Sequence, residues 1–204
     1  MVFHQRLGLL IILSLLLFKM TTAWAILIDR VAGVIDGEVI TYSDVQIERI
    51  FKLSEGSERD VLERLIDRRL LLREAEKFNI TETEEDSKEI QQRLQDIKRV
   101  ISQDKFYNLL REYNLAESDI LKRLKDRIIV EKFIDFRINF FIVISDEVIK
   151  AYYNAHKDEF GDRAVEDAYS QIKARLFQTE SRGRLADYID QLRRKAKISI
   201  NLQD

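Results

Sequence analysis

The chain has 204 residues, 46% of them apolar and 34% charged, with a formal net charge of −2. That is enough apolar material for a packed core, and the lack of a basic excess sets nucleic-acid binding aside. Cysteine and proline are both absent, which excludes disulfides, thiolate metal sites, thiol nucleophiles and lipidated-cysteine anchors, and points to a mainly helical protein.

At the N-terminus, Arg6 precedes an apolar run from Leu7 to Phe18, and the segment ends in the small-x-small triplet Ala23-Trp24-Ala25. This is the form of a signal peptide spanning residues 1–25 and cleaved near Ala25. The competing reading is a membrane anchor, although about 12 apolar residues followed by Lys19 fall short of the roughly 20 that span a bilayer. Without residues 1–25 the chain loses Arg6 and Lys19 and no acid, which takes its net charge to −4.

Val31–Ile35 and Glu38–Thr41 are β-rich runs flanking Asp36-Gly37. An Asp-Gly pair in that position predicts a hairpin with a type I′ turn, because both central residues need positive φ. A lone hairpin is marginal in water and requires a further strand or a helix beneath it. The strictly alternating run from Lys197 to Leu202 is expected to join it, bringing the two ends of residues 26–204 together in one domain.

Tyr42-Ser43-Asp44 opens a short helix with Val45, Ile47, Ile50, Phe51 and Leu53 as its apolar positions, closed near Gly56. The stretch Ser57 to Asn79 follows, with Ser57 and Asp60 at capping-box spacing. At 100° per residue, Val61, Leu62, Leu65, Ile66, Leu70, Leu71, Leu72, Ala75 and Phe78 cover most of its circumference, leaving Glu63, Asp67 and Glu74 on one narrow polar strip. A helix apolar nearly all round must be wrapped by other elements, so this one is expected at the centre. Thr81 with Glu84 suggests a second capping box, for a helix reaching about Ser102. Its single seam, Ile90, Leu94, Ile97 and Ile101, places it on the outside.

A short helix is expected around Phe106, Leu109, Leu110 and Tyr113, then a turn, then a long helix over 117–142. Ser145 caps a helix over 145–160, with acids in its first turn where the helix dipole favours them. Gly161 breaks it, and a last helix runs from about Arg163 to Ala196 with Val165, Ala168, Tyr169, Ile172, Leu176, Leu185, Tyr188, Ile189 and Leu192 inward. Gly183 lies inside that helix at a cost of about 1 kcal/mol, marking a kink or a close helix contact.

Little catalytic chemistry is available. His156 is the one histidine after residue 25. A zinc site or a Ser-His-Asp triad would have to use it, and beside Asn154, Ala155 and Lys157 it reads as solvated. Glu82, Glu84, Glu85 and Asp86 read as a helix start that complements the dipole. The chain carries no GxGxxG and no phosphate-binding loop, so no cofactor is expected. What remains is surface. The aromatic set Phe133, Phe136, Phe140, Phe141, Tyr152, Tyr153 and Phe160 exceeds what two antiparallel helices need to hold each other. It is either ordinary core or the lining of an apolar groove that takes up extended or unfolded peptide.

Four segments, DRVAGVIDGEVITYSDV, LERLIDRRLLLREAEKFNIT, VISDEVIKAYYNAHKDEF and QLRRKAKISINL, follow one another in an order that resembles the SurA-type periplasmic chaperones and their parvulin-domain relatives. The resemblance covers nearly all of the chain after residue 25. It implies a mainly α (α+β) module in which the N-terminal hairpin pairs with the C-terminal strand. Relatives commonly insert a parvulin-type prolyl isomerase domain after the segment ending HKDEF; here Phe160-Gly161-Asp162-Arg163 leads directly into the last helix. The implied function is therefore an ATP-independent periplasmic holdase for unfolded or extended polypeptides, outer-membrane proteins among them. It would not be an enzyme and would have no stable membrane insertion after processing; homodimerisation is left open. The rival readings are a scaffold subunit for one specific partner and a degenerate prolyl isomerase.

Overall fold

A computed structural model of the chain describes residues 29–202; the signal-peptide reading of residues 1–25 lies outside the described residues. The fold is mainly helical, with one small antiparallel sheet. Strands β1 (Val31–Ile35) and β2 (Glu38–Thr41) form the hairpin, and Asp36 and Gly37 take positive φ of 50° and 90° at its turn. Strand β3 (Ile198–Ile200) pairs antiparallel with the other edge of β1, placing Val34 opposite both Val39 and Ser199, so the sheet order is β2-β1-β3. The two ends of the described chain thus meet, as the alternating C-terminal pattern implied.

Helix α1 (Tyr42–Ile50) follows β2 and is capped by Thr41 and Asp44. Helix α2 (Glu58–Lys77) is capped by Ser57 and Asp60 and buries Val61, Leu62, Leu65, Ile66, Leu70, Leu71 and Ala75. Helices α3 (Glu84–Ile101), α4 (Gln103–Glu112) and α5 (Glu117–Arg137) follow. A 3-10 turn (Asn139–Phe141) leads to α6 (Asp146–Ala155), the single turn α7 (Lys157–Phe160) and the long α8 (Val165–Lys195). Among the described residues, no helix is long and apolar enough to cross a membrane.

Three apolar clusters hold these elements. The first unites the sheet, α2, the second half of α5 and the end of α8, through Ile35, Leu62, Ile66, Phe133 and Leu192. The second joins α1, α3, α4 and the first half of α5, through Phe51, Leu94, Phe106 and Ile120. Together they form the body. The third is smaller and separate: Ile149 of α6, Phe160 of α7, and Ala168 and Ile172 of α8 close a distal lobe. The inward face predicted for α8 is real but divided, its first half serving the lobe and its second half the body.

Several local expectations shift. The cap of α3 is Thr83 with Asp86, two residues after the predicted Thr81 and Glu84. Both pairs have the capping-box spacing, and Lys132 of α5 selects the later one by bonding the Asp86 carboxylate and, at 3.0 Å, the Thr81 carbonyl. That contact comes first among the causes that hold the Asp86 carboxyl down at about 2. The helix predicted over 117–142 stops at Arg137, where Asn139 donates to Asp135 at 2.6 Å and accepts from Ser181 of α8 at 2.6 Å, polar contacts that compete with helix continuation. The helix predicted over 145–160 breaks at His156, whose Nδ1 lies 2.9 Å from the Tyr152 carbonyl oxygen and whose ring stacks on Tyr152 at 4.1 Å. His156 is therefore half-buried rather than solvated. The polar strip of α2 is likewise covered by α8: Arg193 donates to Asp67 at 2.6 Å and to Glu63 at 2.8 Å, and Tyr188 donates to Glu74 at 3.3 Å.

Candidate functional site

The seven aromatic residues singled out by sequence do not form one lining. Phe133 is fully buried, packed between Phe78 and Tyr188 with ring centroids 5.9 and 6.0 Å away. Phe160 is 4% exposed and stacks on Tyr153 at 5.4 Å. Neither can line an open groove, because an aromatic side chain at those positions on converging helices is the volume that closes a cluster. Tyr152 and Tyr153 are half-buried in the lobe. Their hydroxyls serve the fold: Tyr153 donates to the Arg163 carbonyl at 2.7 Å, and Tyr152 accepts from Arg175 at 2.7 Å.

The other three are open to solvent. Phe136 is 49% exposed, Phe140 79% and Phe141 57%. They sit where α5 ends and the chain crosses to the lobe, and two residues that sequence reasoning missed extend the patch. Val143 is 86% exposed, and Phe78 at the end of α2 packs its half-open ring 5.6 Å from Phe136. Ile138 and Ile142 alternate inward with these residues and are buried, so the crossing is anchored while its large side chains point out. Phe140 and Phe141 meet edge to face at 5.2 Å, an arrangement favoured by the ring quadrupoles. Phe78 was counted in the apolar circumference of α2; its place at the very end of the apolar run, where it caps the helix, was the available signal.

The rim is charged. Arg184 of α8 donates to the Phe141 carbonyl at 3.2 Å and to Glu180 at 2.7 Å. Arg137 lies over the Tyr188 ring at 5.5 Å. Burial, then the Glu74 carboxylate, pushes the Tyr188 hydroxyl up from its ordinary value. The arrangement offers a greasy surface with a charged rim.

A second concentration of charge lies inside the body. Glu48 of α1 is fully buried and accepts two bonds from Arg68 at 2.9 and 3.0 Å, one from Arg127 at 2.6 Å and one from Ser54 at 3.1 Å. Arg123 approaches it at 3.6 Å. Burial alone would raise this carboxyl; the bonds and charge of Arg68, then of Arg127, outweigh that and hold it at about 2. The position was legible, since Glu48 lies three residues from both Val45 and Phe51 on the inward face of α1. Beside it, a cavity of about 230 Å³ opens between α2 and α5, lined by Asp44, Arg68, Arg69, Lys122, Arg123 and Asp126 among others. Burial raises the Asp126 carboxyl despite the surrounding cations. With its arginines engaged by Glu48, Asp44 and Glu38, this network binds α1 to α2 and α5. Among the described residues, no group of three His, Asp or Glu side chains could hold a metal ion.

No protein-family model matches the chain, and no curated protein matches it either.

Proposed function

We propose that this protein is an exported, ATP-independent holdase related in architecture to the SurA-type periplasmic chaperones, and that it shields apolar segments of unfolded or extended polypeptides, outer-membrane proteins among them. The observation that carries the reading is the exposure of Phe78, Phe136, Phe140, Phe141 and Val143 around the end of α5 and the crossing, with Phe78 packed on Phe136 and Phe140 on Phe141. Large apolar side chains exposed together cost solubility unless something covers them, and a client's apolar side chains gain by being covered there. The exposed side chains are all apolar, which suits client side chains of varied shape bound weakly and reversibly. The signal-peptide form of residues 1–25 in the sequence supports export, and the net negative charge would keep a loaded complex soluble. Catalysis is not part of the proposal, because only Gly161 to Ala164 separate α7 from α8, where a parvulin-type domain would have to be inserted.

The test is suppression of aggregation of an urea-unfolded β-barrel membrane protein diluted into buffer. Slowing at near-stoichiometric ratio is expected, with the effect lost in a Phe140→Ser, Phe141→Ser double variant. Absence of any effect, or equal protection by the double variant, overturns the reading. A single stable complex with one folded partner would instead favour a dedicated interaction subunit.

A further inference from the structure

Helix α8 is 31 residues long, about 46 Å at 1.5 Å per residue, and only its ends are packed. Leu176 is the last side chain that joins the lobe cluster and Leu185 the first that joins the body cluster. Most of the interval between them is exposed, with Phe177 and Ser181 half-buried. Gly183 lies in this bare interval. A Cβ placed there would meet nothing within 4 Å, and its backbone is helical, so neither packing nor dihedral angle calls for glycine. Its effect is to weaken the helix at the point where tertiary packing gives it least support.

The lobe has one other connection to the body, the crossing from Ile138 to Ser145, and the two connections run side by side. Ser181 donates to the Asn139 side chain at 2.6 Å, and Arg184 to the Phe141 carbonyl at 3.2 Å. The lobe's own polar contacts close within it: Tyr169 donates to Asp146 at 2.6 Å, and Arg175 reaches Tyr152 and Glu159. The crossing is therefore tied to α8 within two residues of Gly183, and it carries Phe140, Phe141 and Val143, all exposed.

We infer that residues 177–184 of α8, which include Gly183, are a hinge about which the α6–α7 lobe swings, and that the swing moves the crossing that carries the exposed Phe140, Phe141 and Val143. The inference rests on the patch being the client surface, and it adds how that surface is moved. Bending costs one or two helical hydrogen bonds and strains the Ser181–Asn139 and Arg184–Phe141 contacts, and leaves all three apolar clusters intact.

The absence of cysteine makes the test direct. Gln95→Cys on α3 and Asn154→Cys on α6, both exposed, carry spin labels whose separation is read by double electron–electron resonance. A broad or two-population distance distribution is expected in the unliganded protein. Gly183→Ala should shift the ratio roughly fivefold toward the straight form, and Ser181→Ala should shift it the other way. A single narrow distribution, or one whose width neither substitution changes, overturns the hinge. A holdase assay without effect would leave those distances unaltered, so the two failures are distinguishable.

Discussion

The side chain of Asp36, at the tip of the N-terminal hairpin, accepts the backbone N–H of Lys197 at 2.7 Å, tying together residues 161 positions apart. The Asp36 N–H in turn donates to the Lys197 carbonyl at 2.9 Å, and Arg73 of α2 donates to the Asp36 carboxylate at 2.8 Å. One turn residue thus joins the hairpin, the last strand and the central helix.

That junction titrates. The Lys197 N–H, and then Arg73, hold the Asp36 carboxyl below its ordinary value. A carboxyl depressed in the folded state contributes stability that is present above its unfolded pKa and is lost as pH falls through its folded pKa. Amide exchange at Lys197 is therefore expected to accelerate, beyond its intrinsic pH dependence, as pH drops below about 4. Asp36→Asn should remove that acid dependence.

Glu48 makes a larger claim. Its folded value of about 2 lies well below the ordinary 4.5, so the network contributes on the order of 3 kcal/mol, full above pH 4.5 and lost toward pH 2. Glu48→Ala leaves Arg68, Arg123 and Arg127 facing one another without their shared carboxylate and should cost about 3–5 kcal/mol in urea denaturation. Glu48→Gln keeps the volume and should cost less, while abolishing the acid-dependent part.

Gly33 sits in the middle strand, over α2. A Cβ there would lie 3.3 Å from Leu62 Cδ1 and 3.3 Å from the Ser199 carbonyl oxygen. Gly33→Val is expected to cost about 1–3 kcal/mol by forcing β3 or Leu62 aside, read as a lowered Tm with weakened protection of the β1–β3 amides.

The exposed and buried rings should separate stability from binding. Phe140→Ser leaves the body and lobe clusters untouched and should change stability by less than about 0.5 kcal/mol while reducing client protection. Phe133→Ala opens a cavity beneath Phe78 and Tyr188 and should cost about 3–5 kcal/mol. Equal loss of client protection in stability-matched conditions for both variants would count against the patch.

The hairpin, the central helix and its cap, and the strand that returns to β1 follow from local rules. Asp36-Gly37 demands positive φ, Ser57 and Asp60 satisfy orphan N–H groups, and the alternation through Ile198 and Ile200 leaves one face apolar. These signals are local because each depends on a few neighbours in the chain. The position of the α3 cap depended on Lys132, more than forty residues away, and local spacing offered two equal choices.

The same distinction governs the candidate site. Sequence alone predicted a helical protein whose hairpin pairs with its last strand, with more aromatic side chains after Val130 than two helices require. Only the tertiary structure decided which rings are spent on closure and which are left out, because exposure is a property of what packs opposite a residue and not of the residue itself. Phe133 and Phe136 are one helical turn apart on α5, yet one is closed in between Phe78 and Tyr188 while the other, packed on Phe78, stays half exposed.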